Sequence, residues 1–516
     1  MSRTKRFLGG VGLGYVNQAL LMVAGLWLTP FLLNHIGQND YGLWLVGTQI
    51  MFYLGLVDFG VVALLPREAA YATGRASGIE AATDLPDIIG KTARLVLWQM
   101  PFLILIAAIL WFTTPAGWQS LRQPLGLVIV VFVALFPLRI FPATLQGLQD
   151  LTFLGKVQIC AWALSTAITV ALVLAGLGLY SLALGWAINQ TFSTTVCWLR
   201  LRARFPGVLP GRLSKLSWPE ARALLTRGFW ISVAQVAQVM LIGTDILIIG
   251  KLLGPAAVVP YVCTGKLISV LANQPQLLMQ SAFPALSEMR MGESRKRLFQ
   301  VCTALSQAML IVSGAVVCVV MVVNEGFVGW WIGKDQYAGF GLTAILLLGM
   351  ILRQWNTTWI YSLLCFGHER RISLTNLLDG LANVCASVVL IWWLDLKGAA
   401  LGAVIGVCLV SLPGNLRAMS RELDVTVLNL VRMFWPWTWR FLLLVVAASL
   451  LRRVWMPRTF VEIAAAAAAS ALVYCGVMWP MAMGSFLGDY IRPRIVSARM
   501  KLTGVSAPTT LHEIEK

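Results

Sequence analysis

A few charged residues interrupt long apolar stretches of this 516-residue chain. Arg139, Lys266 and Arg353 are basic, and Asp58 and Asp245 are acidic. Where such stretches cross a membrane, a charge is costly and usually faces a cavity or a partner. Arginine can hold a phosphate through two parallel hydrogen bonds, and lysine acts as a point charge. These residue types indicate binding of an anionic group, with no catalytic set among them.

Each basic residue also has a structural interpretation. Lys266 could pair with Asp245, and Arg353 with Asp379, to hold helices together. Arg139 lies about two-thirds along its segment, and its charged end could instead extend to the inner membrane interface. From the residues alone, the binding and structural interpretations both stay open.

Uncharged polar and aromatic residues accompany these charges at helical spacing. At about 100° per residue, Asn273 lies on the same helix face as Lys266, and Gln235 lies loosely on the same side as Asp245. Trp359 lies among polar residues in the same apolar segment as Arg353. These segments predict a polar, cationic and aromatic lining for an anionic head group that carries sugar rings.

Asp58 and Asp245 are candidate ion or proton sites. Asp58 lies late in its apolar segment, directly before Phe59 and Gly60. A carboxylate at membrane depth can mark an ion or proton pathway, or it can make a hydrogen bond between helices. Both interpretations of Asp58 stay open.

The composition indicates a membrane protein. Hydrophobic residues make up 58% of the chain, charged residues make up only 12%, and the mean hydropathy is +0.78. An average soluble domain is about 25% charged. Uncharged, mostly apolar stretches such as 7–33, 95–121 and 298–324 exceed the length that a helix needs to span a bilayer. A cytosolic enzyme, a disordered chain, a secreted scaffold and an outer-membrane barrel are therefore excluded.

We predict about fourteen membrane-spanning helices, on the rule that about 20 residues cross the hydrocarbon. The predicted spans are 7–33, 41–65, 92–114, 125–145, 155–177, 180–199, 229–250, 258–284, 300–322, 340–366, 373–393, 398–416, 437–451 and 461–483. With the N-terminus inside, the inner segments carry 30 Lys and Arg residues and the outer loops carry seven. The positive-inside rule then places both termini in the cytoplasm. Arg452, Arg453 and Arg458 are three of the seven outer charges, so the topology of the last hairpin stays open.

An internal repeat is indicated by landmarks that recur at one spacing. Gly37 corresponds to Gly254 at an offset of 217 residues, and Gly147 corresponds to Gly367 at an offset of 220. Transporters with parallel repeats bind their substrate between the two halves. The predicted domains are an N-terminal six-helix bundle at 1–204, a cytoplasmic linker and surface helix at 205–228, a C-terminal six-helix bundle at 229–420, and helices 13 and 14 with a basic cytoplasmic tail at 421–516.

Several other functions lack the residues they require. The formal net charge is +18, but the basic residues are scattered between apolar runs, so the membrane explains them better than nucleic acid does. The nine cysteines show no CxxC spacing and the three histidines are scattered, so we expect no metal site. There is no P-loop in the sequence. We predict a protein that is not an enzyme, with no catalytic residues, no cofactor and no nucleic-acid partner.

Three short motifs are typical of one transporter superfamily. They are N-H-I-G-Q-N-D-Y-G-L-W-L at 34–45, G-L-V-D-F-G at 55–60 with Pro66 and Arg67, and Q-G-L-Q-D at 146–150. Through them the chain resembles the multidrug/oligosaccharidyl-lipid/polysaccharide exporter superfamily, in particular the Wzx-type flippases of its polysaccharide-transporter branch. The resemblance covers most of the chain.

The resemblance implies an all-α polytopic membrane protein whose two six-helix bundles form a V-shaped cavity, with two extra C-terminal helices. It implies that an undecaprenyl-pyrophosphate-linked oligosaccharide, an O-antigen or exopolysaccharide repeat unit, is moved from the cytoplasmic to the periplasmic leaflet by alternating access. The location would be the bacterial inner membrane, and a polysaccharide polymerase or chain-length machinery would be a partner in lipopolysaccharide or exopolysaccharide synthesis. Under this hypothesis the substrate-binding residues are Arg353, Lys266, Arg139, Gln235, Asn273 and Trp359.

Three alternatives stay open. A drug/cation antiporter of the same superfamily is expected to place a carboxylate in its cavity, and 7–33 carries no charge. A lipid II flippase is expected to carry arginines inside its first two spans, and both interiors here have none. A non-transporting membrane scaffold of a polysaccharide synthesis complex predicts that charge changes at Lys266 and Arg353 leave export intact.

Overall fold

The chain folds into α-helices joined by short turns. The computed structural model describes residues 20, 22–75, 84–292 and 294–488, and within these ranges it contains no strand. The helices of the first half are α1 (Met22–Ile36), α2 (Gln38–Leu54), α3 (Val61–Arg75), α4 (Asp84–Phe112), α5 (Gln119–Leu135), α6 (Ile140–Gly147), α7 (Leu151–Leu174), α8 (Leu179–Arg204), α9 (Trp218–Ile242) and α10 (Thr244–Leu252). Those of the second half are α11 (Pro255–Gly292), α12 (Arg295–Trp331), α13 (Phe340–Cys365), α14 (Glu369–Gly406), α15 (Leu412–Leu423), α16 (Val427–Arg432), α17 (Trp435–Val454) and α18 (Phe460–Gly484).

The predicted fold class is confirmed as an all-α polytopic membrane protein. By length and composition, eight of the described helical stretches could cross a membrane, or nine if the bent α2–α3 pair is one span. Every predicted span coincides with a described helix or helix pair, although the start of the first span lies outside the described residues. The predicted number of fourteen is compatible with this helix pattern.

Three of the predicted spans in the first half of the chain are built from two helices each. The axes of α2 and α3 differ by 58°, and the break falls at Phe59 and Gly60, whose φ angles are 48° and 67°. A 3-10 turn at 136–139 joins α5 to α6, and α9 meets α10 at Gly243. In transporters, broken helices near the bilayer midplane often line substrate and ion sites. These three breaks are therefore candidate positions for a functional site.

The chain divides into two compact units, residues 1–259 and residues 260–516. In the first unit, α8 packs against α5 and α7, while α10 packs against α2 and α9 against α3. In the second unit, α12 is the central helix and packs against α13, α17 and α18. These units follow packing, whereas the predicted domains follow the repeat, so the predicted domain boundaries stay a prediction.

The last helical hairpin is docked on α12 by polar contacts as well as apolar ones. The indole N–H of Trp437 donates to the Tyr474 hydroxyl at 3.1 Å, joining α17 to α18. Glu325 near the end of α12 forms an ion pair with Arg452 on α17. Arg452, one of the three arginines that the predicted topology places in an outer loop, thus has an acidic partner within the second unit. The charge of Arg452, which leaves the predicted topology of this hairpin open, therefore helps to hold α17 against α12.

The repeat is visible in the backbone of matching turns. Asp150 N–H donates to the Leu145 carbonyl at 3.1 Å between α6 and α7, and His368 N–H donates to the Leu363 carbonyl at 3.1 Å between α13 and α14. Both pairs lie 218 residues apart along the chain. At that offset the left-handed residue of the second turn, Gly367, corresponds to Gln149, whose φ is 62°. The predicted correspondence with Gly147 is displaced by two residues.

Two further left-handed positions recur between the halves. Gly37 and Gly254 have φ angles of 90° and 94° and directly precede α2 and α11. Gly178, which precedes α8, has φ 53° and ψ −130°, and Asp395 has φ 48° and ψ −133° within a break of α14. The offset is 217 in both cases. An aspartate therefore stands in the second half where the first half has a glycine.

Candidate substrate site

A cavity of about 600 Å³ lies within the first unit, between α2, α5, α8 and α9. Small-molecule pockets typically measure about 300–1,000 Å³. Its lining combines aromatic rings, amides, hydroxyls and a guanidinium. These side chains belong to Trp44, Phe52, Phe132, Trp186, Gln190, Gln235, Gln238, Thr48, Thr194 and Arg139.

Helical spacing brings the lining side chains together. On α8, Trp186, Gln190 and Thr194 follow one another at intervals of four residues, so they share one face. On α2, Trp44 and Thr48 have the same spacing. Each helix therefore presents an aromatic ring and at least one polar group to the cavity.

Arg139 is positioned by the break between α5 and α6. Its guanidinium lies 3.7 Å from Oδ2 of Asp58 and donates to the Gly55 carbonyl at 3.4 Å. The Asp58 side chain is 3% exposed and that of Arg139 is 38% exposed. The carboxylate is thus buried behind the cavity wall, while part of the guanidinium faces the cavity.

Asp58 is held by the break between α2 and α3. Its Oδ1 accepts a hydrogen bond from Gly60 N–H at 3.0 Å, and its backbone carbonyl accepts one from the Gln99 amide at 3.1 Å. A Cβ on Gly60 would approach the Gly228 carbonyl to 2.6 Å, so the two backbones meet where only glycine fits. The pair of helix breaks therefore positions both members of the ion pair.

A second polar cluster lies inside the second unit. Arg353 on α13 donates to Oδ2 of Asp379 on α14 at 3.4 Å and to the Ala403 carbonyl at 3.2 Å. The side chain of Asp379 is 1% exposed and that of Arg353 is 26% exposed. The predicted structural pairing of Arg353 is present, and its guanidinium keeps an accessible edge.

Buried side chains extend this cluster into a hydrogen-bonded chain. Ser411 donates to the same Asp379 oxygen at 2.7 Å, Asn356 donates to Ser411 at 3.0 Å, and Asn415 donates to Asn356 at 2.9 Å. Ser411 closes a π-helical segment at 407–411, and such segments are frequent at functional sites. The arrangement orients the carboxylate rigidly toward Arg353.

The other predicted site residues are placed apart from these two clusters. Lys266 is half-buried on α11, and no ion pair joins it to a residue that the structure describes. Asp245 lies in the first turn of α10, next to Thr244, which bonds to the Tyr53 hydroxyl. Trp359 is fully buried and packs edge-on against Phe434, which favours a packing role. The side chain of Asn273 lies outside the described residues.

Sequence reasoning missed most of the cavity lining. Gln235 and Arg139 are the predicted residues that reach it, whereas Trp186, Gln190 and Thr194 were not singled out. The polar spacing of four residues on α8 was the available signal. It is weak, because the same helix also carries unrelated serines, threonines and an asparagine on its other faces.

Residues 103–340 match a family model described as polysaccharide biosynthesis protein, which is somewhat less than half of the chain. No curated protein matches the chain in sequence.

Solved structures of MATE transporters are similar to most of the chain. An inward-facing multidrug resistance MATE family transporter of the MOP superfamily matches with a TM-score of 0.56 and 12% identity, over 81% of this chain and 99% of the other. The MATE multidrug transporter DinF-BH in complex with R6G matches with a TM-score of 0.55 and 14% identity, over 82% and 96%. The eukaryotic MATE transporter AtDTX14 matches with a TM-score of 0.53 and 14% identity, over 82% and 97%.

The chain therefore has the MATE-like fold of transporters of the MOP superfamily. The resemblance to that exporter superfamily, predicted from three short motifs, is confirmed at the level of the fold, and the matched segment is consistent with its polysaccharide branch.

Proposed function

We propose that this protein is a flippase that moves a lipid-linked oligosaccharide from the cytoplasmic to the periplasmic leaflet of a bacterial inner membrane. The observation that carries the proposal is the cavity of the first unit, whose rings, amides and guanidinium suit a sugar-bearing polar head. The MOP-type fold and the similarity to polysaccharide biosynthesis proteins support it.

The energetics favour outward movement of such a cargo. The lipid tail can stay in the bilayer while only the polar head crosses. When a negative pyrophosphate leaves an inside-negative cell, its electrostatic free energy falls by about 2.3 kcal/mol per charge per 100 mV. Alternating access of the head group therefore needs no nucleotide hydrolysis, although a coupling ion could add to the driving force.

In this proposal the accessible edges of Arg353 and Arg139, together with Lys266, contact the head group. Gln235 and Asn273 also belong to the proposed substrate-binding set, whereas the fully buried Trp359 does not, and Asp58 and Asp245 are the proposed ion or proton sites. Both termini lie in the cytoplasm, and a polysaccharide polymerase or chain-length machinery receives the product.

A drug/cation antiporter is the competing function, because the structural neighbours include multidrug transporters. A cation-binding cavity needs an uncompensated carboxylate. Asp58, which lies behind the wall of the first unit's cavity, is buried and paired with Arg139, so it offers no open carboxylate to a drug-sized cation in that cavity. This pairing favours the flippase over the antiporter.

Complementation tests the proposal. A strain that lacks its own flippase is supplied with the wild type, Lys266→Ala or Arg353→Ala at matched membrane abundance, and export of lipid-linked glycan is measured. We expect the wild type to restore export and both variants to lose most of it. Lys251→Ala, which removes an exposed charge at the end of α10, is the control and keeps export. Failure of the wild type would refute the flippase, and full activity of both variants would favour the scaffold.

A further inference from the structure

The cavity of the first unit has little net charge. Arg139 is the charged residue among the described residues that line it, and its guanidinium lies 3.7 Å from the carboxylate of Asp58. A cation with a buried anion at that distance presents hydrogen-bond donors to a ligand but little uncompensated positive potential. The cavity is therefore polar without being strongly cationic.

The glutamine side chains that line the cavity can form further hydrogen bonds. The side chains of Gln190, Gln235 and Gln238 make no hydrogen bond to any residue that the structure describes. An amide side chain offers two donor hydrogens and an acceptor oxygen. Three such groups on two helices that line the same cavity suit a ligand with many hydroxyls, each of which both donates and accepts.

Two tryptophans supply the complementary apolar surface. Trp44 on α2 and Trp186 on α8 are both half-buried and both line the cavity. A sugar ring has hydroxyls around its edge and C–H groups on its faces, so it combines edge hydrogen bonds with a flat apolar contact. Aromatic rings with a few placed polar groups are the usual composition of a small-molecule pocket.

Resting on the proposed function for the identity of the cargo, we infer that this cavity binds uncharged sugar rings of the lipid-linked oligosaccharide. The ring faces contact Trp44 and Trp186, and the hydroxyls bond to the glutamines and to the free edge of Arg139. The pyrophosphate binds elsewhere, because moving a dianion out of water requires a positive charge that is not already balanced. The cavity is a glycan subsite, distinct from the site of the anionic group.

Site-specific photo-crosslinking in cells tests which part of the cargo occupies the cavity. A benzophenone amino acid is placed at Leu135 or Val239, which line the cavity and have no assigned ligand contact, and export-competent variants are irradiated with the glycan radiolabelled. Mild acid then splits the bond between sugar and phosphate. Leu105 on α4, which is 56% exposed and outside the cavity lining, is the control position.

We expect label that survives acid at positions 135 and 239 and at least tenfold less at position 105. Label that acid removes from both cavity positions would mean that the lipid chain was trapped there, and it would overturn the inference. Absence of any adduct in variants that still export would overturn it as well, while leaving the flippase standing.

A second measurement needs no transport, so it stands even if the proposed function fails. Inorganic pyrophosphate is titrated into the purified full-length protein while tryptophan fluorescence is recorded. We expect any saturable change of the wild type to persist in Arg139→Gln, because the pyrophosphate binds outside this cavity, and we expect Asp58→Asn, which leaves the charge of Arg139 unbalanced, to add a second saturable change. The double variant Asp58→Asn, Arg139→Gln should lack that added change. Saturable wild-type binding that Arg139→Gln abolishes would refute a neutral cavity.

Discussion

Arg353 and Asp379 form an ion pair across 3.4 Å in which one member is buried and the other is partly accessible. The Asp379 side chain is 1% exposed and the Arg353 side chain is 26% exposed. The Asp58–Arg139 pair of the first unit has the same asymmetry. In each unit the acidic member of the ion pair is thus buried and the arginine is partly exposed. This asymmetry affects the stability of the protein and the access of a ligand to the arginine.

Loss of Arg353 alone should destabilise the protein more than loss of the whole pair. Arg353→Gln leaves the Asp379 carboxylate buried without its cation, which we expect to lower the free energy of unfolding by about 3 kcal/mol. Adding Asp379→Asn should recover most of that loss. Chemical unfolding of the purified single and double variants measures the difference.

Export by the double variant separates the two interpretations of Arg353. If the guanidinium contacts the head group, Arg353→Gln with Asp379→Asn should fold and still fail to export. Recovery of both stability and export would mean that the pair only holds α13 to α14.

The Asp58–Arg139 pair should respond unequally to its two single substitutions. Arg139→Ala strands a buried carboxylate, whereas Asp58→Asn leaves a cation that can still reach solvent. We expect the first to cost on the order of 2–3 kcal/mol and the second less than about 1 kcal/mol. Thermal unfolding in one detergent compares them, and equal losses would contradict the asymmetric burial.

Replacement of Asp395 by glycine should stabilise the protein. Its φ of 48° and ψ of −133° are a conformation that Gly178 adopts at the corresponding point of the first half. Such backbone costs a side chain on the order of 1 kcal/mol or more. Asp395→Gly should therefore raise the unfolding temperature. Asp395→Ala removes the same carboxylate but keeps the Cβ, so a similar rise in that control would assign the effect to charge.

The last hairpin should depend on one buried hydroxyl. Tyr474→Phe leaves the Trp437 N–H without its acceptor in a buried environment, which should cost about 1–3 kcal/mol. Tyr180→Phe, which removes an exposed hydroxyl bonded to Gln123, is the matched control and should cost little. Limited proteolysis between α17 and α18 should accelerate in the first variant only, and equal rates would mean that apolar packing alone docks the hairpin.

Local sequence patterns predicted the helices well. They predicted the partners of the polar residues in those helices only in part. Long apolar stretches identify spans because a backbone inside lipid must satisfy its own hydrogen bonds, which a helix does within one segment. The repeat was also readable, since turns of fixed geometry select glycine. It was misaligned by two residues at Gly367, because its counterpart Gln149 adopts the left-handed conformation without being glycine.

The sequence by itself determined the class of the molecule, the positions of its helices, its internal repeat and the residues whose charge needs a partner, while the number of fourteen spans stays a prediction. Only the tertiary structure decided that Arg139 pairs with Asp58, that Trp359 is buried against Phe434, and that α8 contributes three side chains to one cavity. The physical reason is that hydrophobicity and backbone conformation act within a segment, whereas charge compensation and cavity shape arise between segments far apart along the chain.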